Sequence, residues 1–203
     1  MKIAVLATPW RADRDYRTYV MAQAAKTQKM GMRVCGTRVT SLVGQLLKAD
    51  PRPPAGRSVL CVGCRHSHEL YVLKAAGFGP VVGIDILSPD PGVTAMDMHA
   101  LRFPDRSFDV IFACHSLEHA YDVDTVLREW ARVTTPGGVW VIEVPIRFPP
   151  TAVDRHDFGS VATLIARCGA YAPQALLAVE SAGSPGTVRA IVQTTTQAAQ
   201  EAA

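Results

Sequence analysis

The sequence predicts an α/β protein built on a doubly wound, mostly parallel, seven-stranded sheet that ends in an antiparallel strand and carries a basic helical extension at its amino end. Three observations predict it. Beyond residue 57, apolar runs at 59–63, 81–86, 93–96, 108–113 and 139–144 alternate with helical stretches, the order expected of a parallel sheet covered on both faces. The last two runs, 175–179 and 188–194, are joined only by Ser181-Ala182-Gly183-Ser184-Pro185-Gly186, short enough for a hairpin. Finally, Val59-Leu60-Cys61-Val62-Gly63-Cys64-Arg65-His66, followed by Val81-Val82-Gly83-Ile84-Asp85, reads as a buried strand, a tight glycine turn opening a helix, and a second buried strand ending in a carboxylate. That order holds a nucleotide-like ligand at the carboxyl edge of a sheet, where glycine admits the backbone and an acid about 20 residues on accepts from ribose hydroxyls. Arg65 and His68 stand where a dinucleotide fingerprint needs its second and third glycines, so a pyrophosphate would find the backbone screened.

At 203 residues, 48% hydrophobic and 19% charged, the chain suits one globular core plus an accessory segment. Pro51-Arg52-Pro53-Pro54-Ala55-Gly56 forbids helix and divides a helical extension, residues 1–56, from a ligand-binding domain, residues 57–203. Within the extension, residues 1–6 suit a short strand. Residues 12–29 suit a helix, with Tyr16, Tyr19, Val20 and Ala24 at three- and four-residue intervals, and residues 40–48 a second helix with Leu42, Val43, Leu46 and Leu47 on one side.

Charge is uneven. Residues 1–57 hold 11 Lys/Arg against 3 Asp/Glu, and residues 58–203 hold 10 against 15. A basic front steers an anionic partner, or is simply a solvated helix face. No apolar stretch approaches the roughly 18–20 residues of a membrane span, and residues 1–9 are too short and too weakly basic for a secretory signal. A soluble, cytoplasmic protein with no membrane partner is expected. Five cysteines, at 35, 61, 64, 114 and 168, are too scattered for a disulfide framework and predict reduced, mostly buried thiols. The Cys61-x-x-Cys64 pair straddles a strand end with no second pair nearby, so no metal site is expected.

Further blocks follow in order. Met96-Asp97-Met98-His99 is succeeded by Leu101-Arg102-Phe103-Pro104-Asp105-Arg106-Ser107-Phe108-Asp109-Val110-Ile111, then His115-Ser116-Leu117-Glu118-His119, then Glu129-Trp130-Ala131-Arg132-Val133-Thr134-Thr135-Pro136-Gly137-Gly138-Val139-Trp140. Together with the Gly63 turn and Asp85, they resemble the class I S-adenosylmethionine-dependent methyltransferases of the broad small-molecule group over residues 57–194. The resemblance implies a Rossmann-like methyltransferase fold with S-adenosylmethionine at the carboxyl edge of the domain's first four strands. It places Cys61, Gly63, Cys64, Arg65, Glu69, Asp85, Ile86, Asp97, Met98 and His115 at the cofactor. Gly63 would lie under the methionine part, Asp85 at the ribose hydroxyls, Asp97 at the adenine amino group and Met98 beside the ring; loop capping is the alternative for Asp97. Pro136-Gly137-Gly138 turns a helix into the next strand.

The pattern departs at Cys61, where relatives carry an acid, and at Arg65, where they carry glycine. Glu69 is a candidate replacement carboxylate at the cofactor's amino end and Arg65 a candidate partner for its carboxylate, with surface salt bridging as the alternative. Only 11 residues separate Asp85 from Asp97, and Pro89 and Pro91 keep them extended, leaving one wall of the adenine pocket open or covered by the basic front.

Methyl transfer requires alignment of nucleophile and methyl group, with a base where the nucleophile carries a proton. His119, just past the fourth domain strand, is the candidate base, with His115 beside it and Glu118 orienting either ring; a packed, hydrogen-bonded histidine is the alternative. Tyr121 and Asp122 are expected at the same mouth. Asp154-Arg155-His156-Asp157 is expected to face the substrate, although capping of a helix starting near Phe158 explains Asp157 equally well. The expected function is methyl transfer to a small molecule, with an anionic or sugar-containing metabolite as the acceptor considered. A nucleic-acid methyltransferase and a non-catalytic binding module are the alternatives. The apolar strand at 188–194 is expected at a sheet edge, where it would allow homodimer pairing.

Overall fold

In the computed structural model, residues 5–30, 36–183 and 185–195 are described. Cys35 and Ser184, and the first four residues of the expected amino-terminal strand, lie outside them. The elements run β1 (Val5–Leu6), α1 (Arg14–Met30), α2 (Gly36–Ala49), β2 (Val59–Val62), α3 (His68–Ala75), β3 (Val81–Asp85), β4 (Leu87–Ser88) and β5 (Thr94–Ala95). There follow β6 (Phe108–Cys114), a 3-10 turn (Leu117–His119), α4 (Val123–Val133), β7 (Thr134–Ile146), α5 (Val161–Cys168), β8 (Gln174–Glu180) and β9 (Gly186–Gln193).

Seven strands form one sheet in the order β5-β3-β2-β6-β7-β9-β8, parallel as far as β7 and antiparallel at both pairings of β9. The predicted architecture holds. Because successive side chains point to opposite faces, Leu60 and Val62 enter a core closed by α4 and α5, while Val59 and Cys61 enter a second core closed by α2 and α3. In the first core the rings of Trp130 and Trp140 meet edge to face with centres 5.7 Å apart. α4 starts where Asp122 accepts from the Thr125 N–H at 3.1 Å, a side-chain cap for an otherwise orphaned donor.

Three expectations need correction. The strand at 188–194 is not an edge: β9 lies between β7 and β8, and the edge is β8. A hairpin fixes that its two strands neighbour each other, but not which of them pairs onward. Pro136-Gly137-Gly138 does not precede its strand but lies within β7, as a bulge opposite Phe108 and Val110. Only glycine suits position 138, since a Cβ there would come within 2.5 Å of the Thr134 side chain. Lastly, α2 starts at Gly36 rather than residue 40, bringing Val39 into the second core beside Leu42 and Leu46, all fully buried.

β1 pairs with β4 as a separate antiparallel ribbon, and no helix connects Asp85 to Asp97. This ribbon and α1 cover the short link as one of the two sequence readings required. The four described cysteines are free and buried, and no helix among the described residues is long and apolar enough to cross a membrane.

Candidate active site

The carboxyl ends of β2, β3 and β6 converge on one crevice. Gly63 ends β2 with φ +73°, and a Cβ there would lie 2.5 Å from Ser116 Cβ, so only glycine lets these two strand tips approach. The N–H groups of Gly63 and Cys64 donate to the Ile84 carbonyl at 2.8 and 3.2 Å, locking the turn against β3. Asp85, at the tip of β3, accepts from the Arg65 N–H at 2.9 Å and the Leu87 N–H at 3.1 Å. One such bond per oxygen leaves acceptor capacity on each. Burial raises its carboxyl above the usual range, and the two N–H groups oppose that shift.

Asp97 is differently placed. Its Oδ1 accepts from the His99 N–H at 3.0 Å and contacts His99 Nδ1 at 2.8 Å, while its Oδ2 accepts from the Trp10 N–H at 2.9 Å and the Tyr16 hydroxyl at 2.7 Å. His99 Nε2 accepts the N–H groups of Tyr121 and Asp122, so its proton sits on Nδ1 and points at Asp97. Burial opposes the charge on Asp97, but His99 and Tyr16 together hold its carboxyl below the ordinary range. All of its lone-pair directions are used within the chain.

Two cavities open from Gly63. The first, about 60 Å³, lies among Asp85, Ile86, Asp97 and Met98 and is roofed by Tyr19, Gln23 and Thr27 of α1. The second, about 630 Å³, is bounded by Glu69 and His68 on one side and by Glu118, Phe148 and Asp154 on the other. Lys26, Gly63, Arg65, His115 and His119 line both.

The second cavity is rich in groups without partners. Among the described residues, Arg65 Nε, His68 Nε2, Glu69 Oε2 and Glu118 Oε2 there are buried and lack any hydrogen bond, as does Ser116 Oγ at the first cavity. Burial pushes Glu69 and Glu118 up to about 8, so both are largely protonated at neutral pH. His115, at φ +54°, reaches Glu143 Oε1 with Nε2 at 3.0 Å. Glu143, fully buried in β7, also binds Arg189 and, at 3.1 Å, Arg38. Burial opposes its charge too, yet His115 and Arg189 keep its carboxyl low. His119 points Nδ1 at the Val153 carbonyl at 3.0 Å, and Lys26 Nζ lies 3.4 Å from its Nε2. Burial first, and the Lys26 ammonium second, bring His119 down to about 4, so its ring is neutral at physiological pH.

Of the residues expected at the site, Gly63, Arg65, Asp85, Ile86, Asp97, Met98, His115 and His119 line the first cavity, and Cys64 and Glu69 line the second. Cys61 lines neither: its side chain is fully buried among Leu70, Leu73 and Phe112 in the second core. Tyr121 and Asp122 also turn away, Tyr121 lying under the Arg155 guanidinium and Asp122 capping α4. Asp154 faces the second cavity, but Asp157 accepts from the Arg147 and Gly159 N–H groups, and the cap of α5 is Ser160. Tyr16 was expected only on the apolar stripe of its helix, and Lys26, Arg38 and Glu143 were not expected at the site. Gln23 and Thr27 on the apolar stripe of α1, and a glutamate inside the apolar run of β7, were the available signals.

Comparison with known proteins completes this geometry. A methyltransferase domain family matches residues 60–142. Residues 60–142 carry a methyltransferase domain. This methyltransferase domain is similar to 2-methyl-6-phytyl-1,4-hydroquinone methyltransferase of Synechocystis sp., 37% identical over 49% of the chain and 38% of that protein. It is also similar to 27-O-demethylrifamycin SV methyltransferase of Amycolatopsis mediterranei, 31% identical over 50% of the chain and 42% of that protein. The match thus spans less than half the length of these curated relatives. The fold matches the crystal structure of Burkholderia thailandensis 1,6-didemethyltoxoflavin-N1-methyltransferase with bound 1,6-didemethyltoxoflavin and S-adenosylhomocysteine, with a TM-score of 0.71 and 15% identity, over 94% of this chain and 93% of that one. The methyltransferase domain fits its cofactor: unpartnered Arg65 Nε, Glu69 Oε2 and Ser116 Oγ surround the open turn at Gly63.

Proposed function

We propose that this protein transfers a methyl group from S-adenosylmethionine to a small-molecule acceptor seated in the 630 Å³ cavity. The observation that carries the reading is the meeting of two cavities at Gly63, His115 and His119, one backed by a ribose-binding type of carboxylate and the other by titratable groups. When bound, S-adenosylmethionine supplies an electrophilic methyl group on a sulfonium sulfur.

The remaining work falls to the chain. Asp85 accepts the two ribose hydroxyls with the lone pairs its backbone donors leave over. Arg65 binds the methionine carboxylate with the guanidinium whose Nε has no partner. Glu69 takes the amino end. Its position supports that role: Glu69 lines the larger cavity with Arg65, and its Oε2 is buried without a partner. Asp97 reads the adenine amino group once the Trp10 N–H or Tyr16 hydroxyl yields a lone pair. α1, whose Tyr19 and Gln23 roof a crevice too narrow for adenosine, serves as the lid. His119, neutral and held by Val153, removes a proton from the acceptor, and Glu143 orients His115 beside it.

The two curated relatives act, by their names, on a phytylated hydroquinone and a demethylated rifamycin. Those names support a small organic acceptor here. Calorimetric titration with S-adenosylhomocysteine tests the reading: binding is expected in the wild type and weakened about 10- to 100-fold in Asp85→Asn, because hydrogen bonds to a charged partner are worth about 1.5–3 kcal/mol. Absence of binding in the wild type overturns it.

A further inference from the structure

We propose that Lys26 and His119 act as one proton-transfer unit, and that the acceptor it suits is an acidic hydroxyl, a phenol or enol, reacting as its oxyanion. The proposal rests on the methyltransferase reading above and adds to it an acceptor class and a residue from the amino-terminal helix.

The geometry fixes the direction of proton flow. The Val153 carbonyl can only accept, so His119 Nδ1, 3.0 Å away, carries the ring proton. Asp154 Oδ1 lies 3.1 Å from the same nitrogen and reinforces that tautomer. His119 Nε2 therefore bears the lone pair. Among the described residues, Lys26 Nζ lies 3.4 Å from it, itself anchored on Asp154 Oδ1 at 2.6 Å. At 3.4 Å the ammonium makes a long, weak hydrogen bond that an incoming donor displaces easily. The other charged or titratable neighbours are Glu118, whose Oε1 is 3.7 Å from Nε2, and His115 at the tip of β6.

A hydroxyl in this cavity gives its proton to Nε2: the O–H bond breaks, an N–H bond forms, and the electron pair stays on oxygen. That oxygen then faces the Lys26 ammonium, which stabilises the negative charge. The imidazolium beside an ammonium is repelled, so it returns its proton to water when the product leaves. An amine acceptor gains positive charge as it is alkylated, and the same ammonium opposes that. Lys26 thus selects oxyanions over amines by charge alone.

The test uses the full-length protein, with histidine ring NMR as a readout independent of turnover. His119 in the wild type is expected to remain a neutral ring protonated on Nδ1 until about pH 4. In Lys26→Met, and in the more isosteric Lys26→Gln, its titration rises toward the ordinary histidine value; Lys26→Arg keeps it low. Equal titration in all four proteins overturns the unit. 4-Nitrophenol, added to the complex with S-adenosylhomocysteine, probes the acceptor class: the wild type is expected to hold the coloured phenolate below the pH at which it forms in water, and Lys26→Met is not. A probe held as the phenol, or not retained by the wild type, overturns the hydroxyl assignment. Failure to bind S-adenosylhomocysteine instead refutes the methyltransferase reading, while the NMR titration still decides whether Lys26 tunes His119.

Discussion

Glu118 is buried with no partner for its second oxygen, and the proton it retains makes stability depend on pH in a direction opposite to that of most carboxylates. The folded protein keeps this proton up to about 8, whereas the unfolded chain releases it near 4.5. Between those values the unfolded state binds fewer protons, so stability falls as pH rises. His119 works the other way: folded at about 4 and unfolded near 6.5, it costs stability as pH drops through that window. Glu118→Gln is therefore expected to lose less stability than the wild type between pH 5 and 8, as read from urea midpoints, and to keep the acid-side loss. Glu69 leaves a residual decline in both proteins. At this scale sequence reasoning anticipated that Glu69 and His119 face the cavity, since their spacing from the turn and the strand end is short. It misplaced Cys61, because a motif position gives alignment along the chain and not which face of a strand a side chain occupies.

The two helices before residue 57 differ in how far apolar burial alone holds them. α2 is fixed by full burial of Val39, Leu42 and Leu46 in the second core, so Leu46→Ala is expected to cost about 2–5 kcal/mol in chemical unfolding. α1 adds polar contacts to a small buried cluster of Tyr16, Tyr19 and Val20: Tyr16 to Asp97, Gln23 to the Val153 carbonyl at 2.7 Å, and Lys26 to Asp154. Tyr16→Phe removes a hydrogen bond to a charged group and is expected to cost about 1–3 kcal/mol. Hydrogen exchange in α1 should accelerate more in that variant than exchange in α2. The difference was latent in the apolar stripes, pure leucine and valine in α2 but interrupted by Gln23 and Thr27 in α1. The parallel strands were legible for a related reason, since strands buried on both faces appear as unbroken apolar runs, whereas the order of β8 and β9 depends on pairings far apart in sequence.

Across the whole molecule, part of the basic front is matched by ion pairs. Lys26 pairs with Asp154 and Arg38 with Glu143, while Arg52 and Arg57 meet at Asp50 within the front itself. Cations already matched in this way release few counterions from a polyanion, so weak RNA retention with a shallow salt slope is expected in filter-binding titrations. The position of β9 has a consequence for how the protein is made. β7 and β8 leave the ribosome before the strand that belongs between them, so the nascent sheet must hold a slot open beside Val139–Val144 until residues 186–193 arrive. A chain stopped after β8 would present that backbone edge bare, as a template for other nascent chains. Synthesis through β9 is thus a condition for closing the sheet.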